Sequence, residues 1–333
     1  MSKNIIVIGA GAWGTALANL CAHNGHDTLI WAFEDSCAQA INTHHENVDF
    51  LPDVSLHKTL KATSDTPDFG RADMCLVVSP AQFMRATLMR FSADIPKGLP
   101  LVLCSKGIEN KSLAFMSDVL EEVVPHAQPF VLSGPSFAKD VALGLPTAVT
   151  LAGGDLKAAG GLASLIASAH FRPYTSDDII GAEIGGAVKN VLAIACGIVL
   201  GLGLGQSAHA AIIARGFVEM GRLGAALGAK PITLSGMCGL GDLVLTCSSQ
   251  QSRNMSCGYA LGQGQDIADI LAARNSVTEG VSTAPALTVL AAKAGVDMPI
   301  CDAVARIVTG QIAPKMAVQQ LLSRPLKGEF GSL

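Results

Sequence analysis

Charge is scarce in this chain. Aspartate, glutamate, lysine and arginine make up only 15% of its 333 residues, against roughly a quarter in an average soluble protein. So thin a coat of charge implies a large buried fraction and a subunit interface. There is no basic block, and the formal net charge is -4, which argues against a nucleic-acid or anionic-membrane partner. Paired cysteines are also missing: the nine cysteines are scattered singly with no C-x-x-C, a pattern of reduced thiols in a cytoplasmic protein rather than disulfides, and no metal is expected. Long uninterrupted apolar runs are absent too. The stretch Val191 to Leu204 falls short of the ~18 to 20 residues that span a bilayer, and Gly197, Gly201 and Gly203 break it up, so it reads as a closely packed buried helix. The apolar N-terminus after Lys3 is cut by Gly9, Gly11 and Gly14, which fits strand, turn and helix better than a leader peptide. There is no repeat, low-complexity segment or flexible linker.

What is present is glycine, 35 residues of it, and a mean hydropathy of +0.42. The length favours two domains. In the first half, short aliphatic runs alternate with amphipathic stretches, the pattern of a doubly wound, mainly parallel α/β sheet. Strands are expected at Asn4 to Ile8, Thr28 to Ala32, Met74 to Val78, Pro100 to Cys104, Phe130 to Leu132, Thr147 to Leu151 and Phe171 to Tyr174. After about Asp178 the strand pattern stops and helical patterns take over, as in Ala208 to Leu227. Ser282 is expected to cap a helix with Pro285 in its first turn, and Pro299 and Pro314 to open two more. The expected organisation is a sheet domain over residues 1–178 and an all-α domain over 179–333.

The strongest local motif is Gly9-Ala10-Gly11-Ala12-Trp13-Gly14, a G-x-G-x-x-G between an apolar strand and an amphipathic helix. The first glycine permits a tight turn, the second lets backbone approach a pyrophosphate, and the third allows close helix–strand packing, while the helix start supplies partial positive charge. Glu34 lies twenty residues beyond Gly14, where a carboxylate can bind the adenosine ribose hydroxyls. The next lysine along the chain is Lys58 and the next arginine Arg71. A 2′-phosphate would be repelled unless a residue from elsewhere intervenes, so the local chemistry leans toward NAD over NADP.

Lys189 is the only lysine or arginine between Arg172 and Arg215, and it stands directly before the apolar run. An ammonium at such a place must be solvated by something specific or lose its proton more easily than an exposed lysine does, which makes it a candidate acid or base; otherwise it is a helix-start lysine that snorkels to water. Further on, Gln251-Ser252-Arg253-Asn254 puts an arginine between a hydroxyl and an amide near a helix start, an arrangement that can hold a phosphate or can be a capped surface turn. Asp242, directly after Gly239-Leu240-Gly241, is a turn residue or a partner for Lys189.

Together these segments resemble the bacterial NAD(P)-dependent glycerol-3-phosphate dehydrogenases over nearly the whole length. The carriers are GAGAWGTALA at 9–18, SKGIE at 105–109, SGPSFAKD at 133–140, GGAVKN at 185–190, GLGDLVLTC at 239–247, QSRN at 251–254 and VTEG at 277–280. The first is common to many dinucleotide-binding proteins, whereas the others in combination are specific. The resemblance implies a Rossmann domain followed by a helical domain, a homodimer, and interconversion of dihydroxyacetone phosphate and sn-glycerol 3-phosphate for glycerophospholipid synthesis. By motif match it implies Lys189 as general acid/base with Asn190 beside it. Lys106, Gly134, Ser136, Asp242, Ser252, Arg253 and Asn254 would be substrate contacts, with Thr246 close by. Trp13, Phe33, Lys106, Ala138, Arg253, Val277 and Glu279 would line the cofactor. Phe33 departs from the arginine or histidine of many relatives, which puts an NADP preference in doubt. Two other functions fit the same pattern less completely: another two-domain β-hydroxyacid dehydrogenase, and a non-catalytic sensor of the nicotinamide pool, for which a proton donor such as Lys189 has no use.

Overall fold

The computed structural model describes residues 2–274, 277–325 and 328. The chain divides into two compact units, Met1–Lys106 with Ala114–Glu183, and Gly107–Leu113 with Ile184–Leu333.

In the first unit, β1 (Asn4–Ile8), β2 (Asp27–Trp31), β3 (Lys61–Thr63), β4 (Met74–Val77), β5 (Pro100–Leu103), β6 (Gln128–Ser133), β7 (Thr147–Gly153) and β8 (Phe171–Ser176) form one sheet in the order β3-β2-β1-β4-β5-β6-β7-β8. Neighbours run parallel except β6 against β7. Strands such as NIIVI and MCLV are continuously apolar because helices cover both faces of a parallel sheet. Those helices are α1 (Ala12–His23), α2 (Asp35–His44), α3 (Met84–Phe91), α4 (Met116–Val123), α5 (Ala138–Ala142) and α6 (Leu156–Ile166). All seven expected strands are present. The unexpected one, β3, is a three-residue edge strand in which only Ala62 is buried, too short to carry a hydrophobic pattern. Strand order reverses between β1 and β4, and ligands of such sheets bind beyond the carboxyl ends of the strands at that point.

The second unit is helical. It contains most of α7 (Ile179–Gly201), then α8 (Gly205–Ala226), α9 (Pro231–Leu234), α10 (Asp242–Ser248), α11 (Arg253–Gly262), α12 (Ile267–Ala272), α13 (Glu279–Lys293), α14 (Pro299–Val308) and α15 (Pro314–Leu322). Pro299 and Pro314 open α14 and α15 as expected. Helix α7 is long and apolar enough to cross a membrane, yet 89% of its most apolar window is buried inside the protein. Its glycines explain how. A Cβ on Gly197 would lie 2.1 Å from Met255 O, and one on Gly258 2.0 Å from Ile194 O, so α7 and α11 cross with their backbones in contact.

Two expectations need correction. Lys189 does not stand at a helix start: α7 begins at Ile179, so the lysine lies mid-helix and cannot simply reach out past the helix end. Nor does Ser282 cap a helix. Helix α13 starts at Glu279 after Thr278 and carries Pro285 in its interior, and Ser282 Oγ donates to Glu279 O at 3.0 Å. The early start is made possible from outside the segment, because Asn254 Oδ1 accepts the first-turn N–H of Gly280, one of the donors a helix start leaves without an intrahelical acceptor.

Within the first unit, Glu183 accepts hydrogen bonds from Ser117 N at 2.9 Å and Ser117 Oγ at 2.6 Å at the start of α4. Burial pushes its carboxyl up to about 7, with the Ser117 bonds opposing. A carboxyl raised above its ordinary value takes up a proton on folding, so its contribution is fully present below about pH 4.5 and is lost as pH rises through about 7. Glu183→Gln should therefore gain on wild type between pH 5 and 7.5, by about 2–3 kcal/mol at the upper end. Thermal melts across that range check it; a wild-type minus Glu183→Gln difference that stays flat with pH shows the carboxylate to be ionised throughout.

Candidate active site

In the first unit the glycine motif forms the turn from β1 into α1. Gly9 has φ +109°, and a side chain there would put its Cβ 3.1 Å from the carbonyl of Val78 at the end of β4. At Gly14 a Cβ would fall 1.9 Å from Gly9 O, whereas at Gly11 it would meet nothing within 4 Å. The first and third glycines are thus demanded by packing and the second faces open space, with Ala12 opening α1. Trp13 Nε1 is buried and has no hydrogen-bond acceptor among the described residues. Glu34 is the exposed residue preceding α2, and Phe33 before it is 74% exposed. A cation does approach this strand end from elsewhere: Arg90 of α3 holds its guanidinium 5.1 Å from the ring of Trp31.

The loops after β4, β5 and β6 are tied together. Ser105 Oγ donates to Ser79 O, Lys106 Nζ to Gly134 O at 3.0 Å, and Ser136 Oγ to the same carbonyl at 2.9 Å. Ala138 opens α5 just beyond. Lys106, Gly134 and Ser136 are therefore neighbours, as the motifs implied.

In the second unit Lys189 Nζ donates to Asp242 Oδ1 at 2.6 Å and to Thr246 Oγ1 at 2.9 Å. Asp242 and Thr246 are one turn apart on α10, hence on one face, and their side-chain oxygens are 3.2 Å apart. The lysine and aspartate side chains are 8% and 1% exposed. Burying one such charge alone costs several kcal/mol; here the carboxylate compensates the ammonium directly. Of the two readings of Asp242, the structure shows the partner of Lys189 rather than a turn residue. His209 of α8 reaches Cys247 O with Nε2 at 2.8 Å, which holds the carbonyl end of α10.

Asn190, the next residue on α7, accepts from Asn254 Nδ2 at 2.9 Å, while Asn254 Oδ1 accepts from Gly280 N at 2.9 Å. The Gly280 N–H can only donate, so each amide in the chain has its orientation determined. Ser252 caps α11, its Oγ accepting from Met255 N at 3.2 Å. Arg253 is the first residue of that helix, exposed, with Glu279 and Arg274 as its charged neighbours. Val277 is 37% exposed shortly before Glu279 opens α13. Arg274 had no sequence signal: its Nη1 donates to Arg253 O at 2.6 Å and its Nη2 to Ser256 Oγ at 3.0 Å, bracing the start of α11. Gly280, in the VTEG segment, likewise carries no signal of its own for its bond to Asn254.

The expected residues therefore gather in two groups, one in each unit. Family models described as NAD-dependent glycerol-3-phosphate dehydrogenase N-terminus and C-terminus match residues 4–159 and 178–319. The chain is 56% identical over 323 residues, 97% of each chain, to the glycerol-3-phosphate dehydrogenase [NAD(P)+] of Maricaulis maris. It is 56% identical over 327 residues to that of Caulobacter vibrioides, covering 98% of this chain and 99% of the relative. The crystal structure of glycerol-3-phosphate dehydrogenase from Coxiella burnetii superposes with a TM-score of 0.93 at 38% identity, covering 97% of this chain and 99% of that one.

Proposed function

The chain belongs to the NAD-dependent glycerol-3-phosphate dehydrogenase family, and from that membership and the buried Lys189–Asp242–Thr246 cluster we infer that it catalyses the NAD(P)-dependent interconversion of dihydroxyacetone phosphate and sn-glycerol 3-phosphate. The cluster is the observation that carries the reading, because it gives a proton donor in a place where a lone ammonium would not be tolerated. It also disfavours the sensor, which needs no such group. Family membership removes the β-hydroxyacid dehydrogenase.

The residues present fit a dinucleotide. The space at Gly11, the start of α1 and the buried Trp13 Nε1 donor provide room, positive dipole and an indole N–H at the pyrophosphate loop. Glu34 would take the ribose hydroxyls, and Phe33, Lys106, Ala138, Val277 and Glu279 complete the proposed lining. When bound, the nicotinamide supplies the hydride that reduces the carbonyl. Lys189 gives its proton to the oxygen that becomes the hydroxyl, and takes it back in oxidation. Asp242 and Thr246 hold its ammonium in place, and Asn190 with Lys106 stabilises charge developing on that oxygen. Arg253, Ser252 and the start of α11 receive the phosphate, which orients the carbonyl. A homodimer in the cytoplasm, serving glycerophospholipid synthesis, completes the proposal.

The test is direct. Purified protein should oxidise NADH or NADPH when dihydroxyacetone phosphate is supplied, and do so far less efficiently with dihydroxyacetone. Comparable efficiency with and without the phosphate would remove the assignment, and cofactor binding without any turnover would restore the sensor.

A further inference from the structure

Asn47 lies in the loop between α2 and β3, is 2% exposed, and belongs to none of the motifs above. Its Nδ2 donates to Ala10 O at 2.8 Å and to Thr15 Oγ1 at 2.8 Å, and Thr15 Oγ1 itself donates to Ala10 O at 3.2 Å. The carbonyl between the first two glycines of the dinucleotide loop is thus held inward by two donors, one of them thirty-seven residues away in sequence. Its own backbone is pinned, with Leu51 N donating to Asn47 O at 2.8 Å and the Leu51 and Val54 side chains buried in the core that includes α1.

A trans peptide unit is planar, and its C=O and N–H point in opposite directions. With Ala10 C=O turned into the protein, the N–H of Gly11 is turned out of it, toward the side on which Gly11 has open space. No hydrogen bond from Gly11 N to the described residues competes for it. A flip of this peptide would present a carbonyl oxygen to an approaching phosphate instead of a donor. The flip would change the φ of Gly11, which a glycine accepts at either sign, so the sequence that permits the turn also leaves its orientation in need of a lock.

We propose that Asn47, acting with Thr15, is a positioning residue that locks the Ala10–Gly11 peptide with its N–H facing the cofactor pyrophosphate. The inference rests on the reading of this loop as the dinucleotide site. It predicts a selective loss: cofactor affinity falls while the chemistry and substrate affinity are spared.

The experiment measures the NADH dissociation constant by fluorescence titration, and kcat with both Michaelis constants, in wild type, Asn47→Ala, Asn47→Asp and Thr15→Val. Asn47→Ala should weaken NADH binding roughly tenfold, the scale of one lost buried hydrogen bond. Asn47→Asp should weaken it further, because a carboxylate repels the Ala10 carbonyl. At saturating NADH, kcat and the Michaelis constant for dihydroxyacetone phosphate should stay within about threefold of wild type. Thr15→Val removes the second donor without changing side-chain shape and should show the same split more weakly; it carries the test alone if the Asn47 variants do not fold. Unchanged NADH affinity in a folded variant overturns the lock, as does an even loss across kcat and both Michaelis constants, which marks a general structural role. Wild type that binds neither NADH nor NADPH instead overturns the reading of the loop.

Discussion

Lys189→Met will cut turnover in both directions by roughly a thousandfold or more, within the 10²–10⁴ that positioned proton transfer contributes plus the loss of the ordered ammonium. NADH affinity should stay near that of wild type. The variant leaves Asp242 buried, 1% exposed, without the cation 2.6 Å away, and breaking a buried pair from one side costs about 3–5 kcal/mol. A fall in thermal midpoint is therefore expected alongside the fall in rate, and the two must be separated. Asp242→Asn in the Lys189→Met background removes the stranded charge, so it should recover much of the midpoint and none of the turnover. Recovery of turnover with stability would mean that the lysine only holds α7 to α10. Substantial turnover in Lys189→Met itself would move the proton to another group.

That lysine illustrates what could be read from the sequence and what could not. Its isolation among apolar residues marked it as a cation in need of a partner, and the buried pair with Asp242 meets that need wherever the helix begins. Its partner and its position were a different matter. Asp242 and Thr246 are 53 and 57 residues away, so the sequence left Asp242 with two readings, and the helix start was missed although Asp178 caps it, its Oδ1 accepting from Gly181 N at 2.8 Å, because the glycines that follow blur the helical pattern. The glycine turn was legible for the opposite reason: backbone contacts of 1.9 and 3.1 Å leave no other residue type at Gly14 and Gly9. The strand β3 left too little apolar pattern to detect. Asn47, Arg90 and Arg274 were invisible because their work is done on partners that the fold brings in from a distance. Helix α13 was misplaced because Asn254, on another helix, satisfies its first turn.

Arg253 will show the second large effect. It is the first residue of α11, so its guanidinium stands where backbone N–H groups and the helix dipole already favour an anion, and the Arg274 bond to its carbonyl at 2.6 Å holds that backbone in place. A guanidinium can meet a phosphate with two parallel hydrogen bonds, whereas an ammonium offers a point charge on a mobile stem. Arg253→Lys should lower kcat/KM for dihydroxyacetone phosphate by roughly a hundredfold, or about 2.7 kcal/mol, much of it as a raised Michaelis constant. Part should appear in kcat, because binding energy remote from the carbonyl is used to orient the reacting centre. Turnover of dihydroxyacetone, which has no phosphate to hold, should hardly change, so the advantage of the phosphorylated over the free substrate should shrink by the same factor. NADH affinity should fall much less, although Arg253 also neighbours Glu279 at the proposed cofactor lining. If the two substrates lose efficiency equally, the arginine serves the cofactor or the fold and the phosphate is held elsewhere. An unchanged ratio together with unchanged rates would leave Arg253 a surface residue at a well-braced helix start.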